Sequence, residues 1–231
     1  MKNNAFPRTQ HIPEENVSDE DLASLAYNGI QRLLFRNKIQ PGQRLNSRGL
    51  AKTLGMSPTP VTQALKLLQF RGLLDHVPNK GYFLGKNTRQ MVQDIFSLRL
   101  AIETSIIENI LDRIDETGWK QLEAALESHM EALELNDSSK ILVADMTFHM
   151  VMANISAGVI GERMIRYLFE MLYLKNRSAI MQTSPRKKFG VHHKEILTFL
   201  KKRDVESARE ALAEHISQVR DDLLKSIDQE E

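Results

Sequence analysis

The segment IQPGQRLNSRGLAKTLGMSPTPVTQALKLLQFRGLLDHVPNKGYF, residues 39–83, changes its local pattern several times in one short run. It opens on the turn Gln40-Pro41-Gly42, after which Leu50, Ala51 and Leu54 share one face of a short helix over 47–54 that Gly55 stops. Ser57-Pro58 is a cap followed by proline at the first helical position, where the missing N–H costs nothing. It starts a helix reaching about Phe70, with Val61, Leu65 and Leu68 on one side and Thr59, Thr62, Gln63 and Lys66 on another. Two helices joined by a tight glycine-containing turn predict a helix-turn-helix. LLDHVPNKGYFL, with its turn at Pro78-Asn79-Lys80-Gly81, predicts a hairpin wing. Upstream, Leu22, Leu25, Ala26, Ile30, Leu33 and Leu34 recur at helical spacing behind the candidate cap Ser18 and the acidic start Asp19, Glu20, Asp21.

Outward from this unit the composition shifts. Of the 231 residues, 42% are hydrophobic and 26% charged, enough for two small domains with cores of their own. Residues 1–87 hold 12 Lys+Arg against 6 Asp+Glu, a net of +6, whereas 88–231 hold 19 against 24, a net of −5. A basic module precedes an acidic one, and the overall +1 conceals both. The chain has no cysteine, which excludes disulfides, thiolate metal sites and thiol nucleophiles. The opening MKNNAFPRTQHIPEENV lacks the apolar run of a signal peptide, and no later stretch is apolar for long enough to span a bilayer; a cytoplasmic protein with no membrane association is the expectation.

Beyond Asn87 helical periodicity takes over. Helices are predicted near 88–114, 117–136, 138–155, 160–182, 185–202 and 204–228, with Thr117, Ser138, Ser184 and Asp204 as candidate caps. The fold class is therefore mainly α: an N-terminal arm over 1–17, a winged helix-turn-helix over 18–87 and an antiparallel all-α bundle of about six helices over 88–231.

The helix beginning at Ser57 presents hydroxyls and free N–H groups at its start, and Arg44, Arg48, Lys52, Lys66, Arg71 and Lys80 surround it in sequence. That pattern suits a DNA reader, and equally a solvated basic face. Residues 39–83 resemble the winged helix-turn-helix of the GntR family of bacterial transcription regulators, through the P-G-x-x-L start, the S-x-T-P-V-x-x-A-L helix and the P-N-x-G wing in order. The resemblance implies that Arg48, Ser57, Thr59, Thr62, Gln63, Lys80 and Gly81 face DNA, the helix in the major groove and the wing tip at the minor; Lys66 is counted with them. Pro58 and Thr62 stand where the family usually has arginine, so the operator differs from one read by those guanidinium groups.

In the second half, Asp145 and His149 are spaced i, i+4 on a face shared with Leu142, Phe148 and Met152. His193 lies in a stripe with Phe189, Ile196, Leu197 and Leu200, and His215 in one with Ala208, Leu212 and Val219. A tight turn before Asp204 puts the two histidines eleven residues on either side of it, at one height on antiparallel helices. One carboxylate and three imidazoles suit a first-row divalent ion, and also fit three separately satisfied core histidines. Residues 89–220 resemble the FCD effector domain of the FadR branch, through LRLAIE, DMTFH and HHKEILTFLKKRDVESAREALAEHI. This implies a divalent metal, zinc or nickel, on Asp145, His149, His193 and His215, with a small carboxylate effector. Gly158 stands where the family usually has asparagine.

Arg99 and Arg177 are the candidate partners of that carboxylate; the alternative for Arg99 is an ion pair with Glu103. His192 points about 100° away from His193, His129 and His76 read as surface residues, and Trp119 as a packing anchor. No catalytic residue is expected, and no H-E-x-x-H helix places a base beside the ligands. The reading is a non-enzymatic, ligand-responsive repressor that binds a pseudo-palindromic operator as a homodimer. A metal-dependent hydrolase with an accessory DNA-binding domain and an architectural DNA-binding protein are the alternatives.

Overall fold

A computed structural model describes residues 19–36, 38–182 and 187–228, without the side chains of 19, 20, 138, 139, 177–182 and 187–189. The arm over 1–17 and the caps Ser18 and Ser184 lie outside the described residues. The chain divides into two compact units between Phe83 and Leu84.

The first unit runs α1 (Asp19–Phe35), β1 (Arg44–Leu45), α2 (Ser47–Leu54), α3 (Pro58–Phe70), β2 (Asp75–Val77) and β3 (Gly81–Phe83). Ala26, Ile30 and Leu34 of α1 are buried with Leu50 and Ala51 of α2 and Val61, Leu65 and Leu68 of α3, which is the apolar stripe of each helix turned to one core. The cap of α2 is Asn46, whose side chain accepts from the Gly49 N–H at 2.6 Å, and Gly55 closes the helix at φ 68°. Ser57 occupies the cap of α3 with no side-chain bond, Pro58 following it.

The hairpin forms as predicted, Val77 opposite Gly81, with Asn79 at φ 62° and Gly81 at φ 100° in the left-handed region that asparagine and glycine tolerate. A third strand, β1, pairs antiparallel to β3 and completes the order β1-β3-β2. Two residues are too few to show a period of two, so β1 was not visible in the sequence.

The second unit comprises α4 (Arg89–Ser105), α5 (Ile107–Arg113), α6 (Glu116–Glu134), α7 (Ser138–Ser156), α8 (Gly158–Gln182), α9 (Lys187–Lys201) and α10 (Val205–Asp228). Among the described residues seven helices stand where six were predicted, because the stretch 88–114 breaks at Ile106. There the Thr104 hydroxyl donates to the Leu100 carbonyl at 2.6 Å and the Ser105 hydroxyl to Ile102 at 2.8 Å, local bonds that compete with the helical ladder. No described helix is long and apolar enough to cross a membrane.

Caps set the helix starts. Asp115, not Thr117, begins α6, accepting from the Gly118 N–H at 2.7 Å, while Asp137 does the same for Lys140 at the start of α7 and Asp204 for Ser207 at the start of α10, both at 3.1 Å. Asp115→Ala is expected to cost about 1 kcal/mol of stability; an unchanged denaturation midpoint would show that this cap contributes nothing. Between α7 and α8 the backbone of Gly158 is left-handed at φ 66°. Asparagine is the side chain that enters this region most readily, so glycine in place of the usual asparagine preserves the break.

Candidate metal centre

Three helices supply the cluster. Asp145 and His149 come from α7, one turn apart on its buried face, His193 from α9 and His215 from α10. All four are buried and offer ligating atoms within 4.8 Å of one another. The His149, His193 and His215 Nε2 atoms stand 3.1–3.3 Å apart. Asp145 Oδ1 is 3.4 Å from His215 Nε2, 3.5 Å from His193 Nε2 and 3.8 Å from His149 Nε2. A tetrahedron with these edges has its centre about 2.1 Å from each corner, within the Zn–N and Zn–O bond lengths. The donor set thus fits a four-coordinate ion.

Outer contacts orient the donors. His149 Nδ1 lies 2.5 Å from Glu103 Oε2, and Glu103 Oε1 accepts from Arg99 Nε at 2.7 Å. Burial opposes the charge on Glu103, but the Arg99 guanidinium and the His149 ring outweigh it and hold the carboxyl at about 2. An ionised Glu103 accepts a hydrogen bond from the His149 Nδ1–H, which leaves a lone pair on Nε2, the tautomer a metal requires. Tyr173 of α8 donates to Asp145 Oδ2, leaving Oδ1 toward the imidazoles. Burial raises the Tyr173 phenol well above its ordinary value, so it remains a donor. For Asp145, burial is overridden by the His215 hydrogen bond together with the neighbouring imidazoles, which hold the carboxyl well below the ordinary range.

Burial pushes His215 down to about 4 and His193 well below its usual value, so both are neutral at pH 7, as ligation demands. Phe148 stacks on His193 at 4.4 Å and Phe169 lies 5.4 Å from His149. These rings give the centre an apolar wall.

His129 corrects the sequence reading. It is fully buried rather than on the surface, with Nδ1 2.5 Å from His193 Nδ1. Leu122, Ala125, Ala132 and Leu133 of α6 are buried with it, so His129 sits in an apolar stripe at helical spacing, the signal that was available. Tyr173 and Glu103 lie in comparable stripes, after Ile165 and Phe169 in α8 and after Phe96 and Arg99 in α4.

Arg99 is buried, ion-paired with Glu103 and set 4.0 Å from the Phe169 ring centre. Asp145 is close enough for its charge to act on Arg99, whose Nη2 makes no hydrogen bond among the described residues. The Arg177 side chain lies outside the described residues. His192 is half-buried, its ring edge-on to His215 at 5.9 Å. His76 is exposed against Tyr82, and Trp119 is half-buried in the first turn of α6.

In the first unit, Arg48 of α2, Ser57, Thr59, Gln63 and Lys66 along α3, and Lys80 in the hairpin turn are exposed; Thr62 and Gly81 are half-buried. The Thr62 hydroxyl donates to the Pro58 carbonyl at 2.9 Å, so its proton is committed to the helix start.

The model for bacterial regulatory proteins of the gntR family matches residues 22–84, and the FCD domain model matches 94–218. The HTH-type transcriptional regulator YdhC of Bacillus subtilis is 23% identical over 83% of this chain and 86% of its own. The HTH-type transcriptional repressor RspR of Escherichia coli is 24% identical over 91% of this chain and 90% of its own. Among solved structures, E. coli McbR/YncC superposes with a TM-score of 0.75 at 24% identity, covering 88% of this chain and 95% of its own, which shows a shared fold. With a helix-turn-helix unit and an FCD unit each matched over most of its length, the chain belongs to the gntR family of bacterial regulatory proteins and is a transcription regulator, not an enzyme.

Proposed function

We propose that this regulator is a metal-dependent repressor: residues 18–87 bind a pseudo-palindromic operator as one half of a homodimer, and residues 88–231 sense a small carboxylate. The observation that carries the sensing half is the closed tetrahedron of Asp145 Oδ1 and three Nε2 atoms with edges of 3.1–3.8 Å. Those edges favour zinc over nickel, which is more at home in square-planar or octahedral sites. When bound, the ion supplies a fixed positive charge that attracts an anionic effector.

Arg99 is the second attractor. A guanidinium that is buried with one terminal nitrogen unbonded is a donor for a carboxylate, and its Glu103 partner and the Phe169 face hold it in place. DNA contact is assigned to Arg48, Ser57, Thr59, Gln63, Lys66 and Lys80, whose exposure suits the role, and to the half-buried Thr62 and Gly81. Pro58 and Thr62 provide no charged fork for a guanine, so base preference passes to Thr59, Thr62 and Gln63. Repression follows the name of the relative RspR. An effector that binds one arrangement of the helical unit better than another shifts the dimer toward the matching spacing of its two readers.

The test is operator binding by mobility shift with zinc-loaded and chelator-treated protein, titrated with salt and with a panel of small carboxylates. Affinity is expected to fall steeply between 50 and 200 mM salt as about six or more phosphates are neutralised, by roughly 1000-fold. One carboxylate should release the zinc-loaded protein from DNA and leave the chelated protein bound. A flat salt response would remove the DNA assignment; an identical response by both forms would remove the metal from the sensing step.

A further inference from the structure

We infer that His129 is the positioning residue for His193, accepting the Nδ1–H of that ring and so aiming its Nε2 lone pair at the metal position. The inference rests on the metal reading of Asp145, His149, His193 and His215. A histidine that ligates through Nε2 carries its proton on Nδ1, and inside a protein that N–H needs an acceptor. For His149 the acceptor is the Glu103 carboxylate at 2.5 Å. For His193 the atom at 2.5 Å is another imidazole nitrogen, Nδ1 of His129, with the ring centres 4.5 Å apart and the planes tilted by 58°.

Two ring nitrogens at that distance share one proton. With His193 donating, His129 must be the neutral tautomer that keeps its own proton on Nε2. Its place in the buried face of α6 prevents it from swinging away, and its Nε2 makes no hydrogen bond among the described residues, so the His193 contact is what fixes the ring. The two ligands are thus oriented differently: His149 by an anion and His193 by a neutral ring. The neutral partner orients without adding negative charge to a pocket that already contains Asp145 and Glu103.

Asparagine places an acceptor oxygen close to the position of Nδ1, whereas leucine fills the space with no acceptor. In the full chain, His129→Leu is expected to weaken zinc binding about 10- to 100-fold in competition with a chromogenic chelator, the usual effect of losing an outer-shell partner. The same substitution should shift the visible absorption band of the cobalt-loaded protein. His129→Asn should bind zinc within about 3-fold of wild type. Nitrogen-detected NMR of the zinc-loaded wild type should show His129 protonated on Nε2 and His193 on Nδ1, which keeps the question answerable if a variant does not fold.

Wild-type affinity and an unmoved cobalt band in His129→Leu would overturn the role, as would equal losses in both variants, since a packing role predicts those, or a His129 proton on Nδ1. A wild-type protein that binds neither zinc, nickel nor cobalt would instead overturn the metal reading on which this one stands.

Discussion

Glu103→Leu is expected to lower the stability of the helical unit by about 3–5 kcal/mol, measured by chemical denaturation of chelator-treated protein. The carboxylate is buried between two partners, 2.7 Å from Arg99 Nε and 2.5 Å from His149 Nδ1. Its removal leaves a guanidinium inside the protein without its hydrogen-bonded ion-pair partner, the nearby Asp145 charge being the remaining attraction, and breaking a buried pair by removing one member is strongly destabilising. The double variant Arg99→Met, Glu103→Leu should recover most of the loss, because deleting both members of a buried pair removes the stranded charge. A single variant within about 1 kcal/mol of wild type would mean that water reaches Arg99 and that the pair is not closed off as the structure has it.

His193→Ala is expected to weaken zinc binding more than about 100-fold, beyond the range that outer-shell partners command. Wild-type protein at a thousandfold excess of zinc over its dissociation constant gains about 4 kcal/mol from binding to the folded form alone, whereas a variant that binds about 100-fold more weakly gains about 1.4 kcal/mol or less at the same zinc level. Elemental analysis of both proteins purified side by side, with thermal unfolding before and after zinc addition, gives the comparison. Equal metal content and equal thermal response would remove the cluster as a metal centre. The four side chains would then be core residues held by Glu103, Tyr173 and His129 alone.

The first unit was readable because its signals are local. Pro58 at the first position of α3, Gly55 in the left-handed region and Asn79-Lys80-Gly81 in the hairpin turn each constrain a few dihedral angles, and the constraint shows in the residue type. The two-residue strand β1 has no such signature and exists because β3 offers it an edge. In the helical unit, spacing paired Asp145 with His149 on α7 and set His193 and His215 at one height about the Asp204 turn, while their union into one ligand set was what the FCD resemblance implied; the structure brings the two pairs within 4.8 Å.

Their outer partners follow no motif. Glu103, His129 and Tyr173 are drawn from α4, α6 and α8, and only tertiary packing decides that these three turns meet the cluster. His129 reads as a surface residue when no pattern is seen around it, yet Leu122, Ala125 and Ala132 stand at helical spacing with it on the buried face of α6. The cap of α6 lies two residues before the predicted one for a related reason: Thr117 and Asp115 are both good caps, and the carboxylate wins because it reaches the Gly118 N–H.

Every donor in the cluster belongs to one unit of one polypeptide: α7, α9 and α10 each contribute, and no second copy is required to close the tetrahedron. On the proposed metal reading, ion capture is therefore a property of the individual chain. Its fractional occupancy at a given free zinc level should be the same at nanomolar and micromolar protein, one ion per polypeptide, even where subunit association and operator occupancy change steeply over that interval.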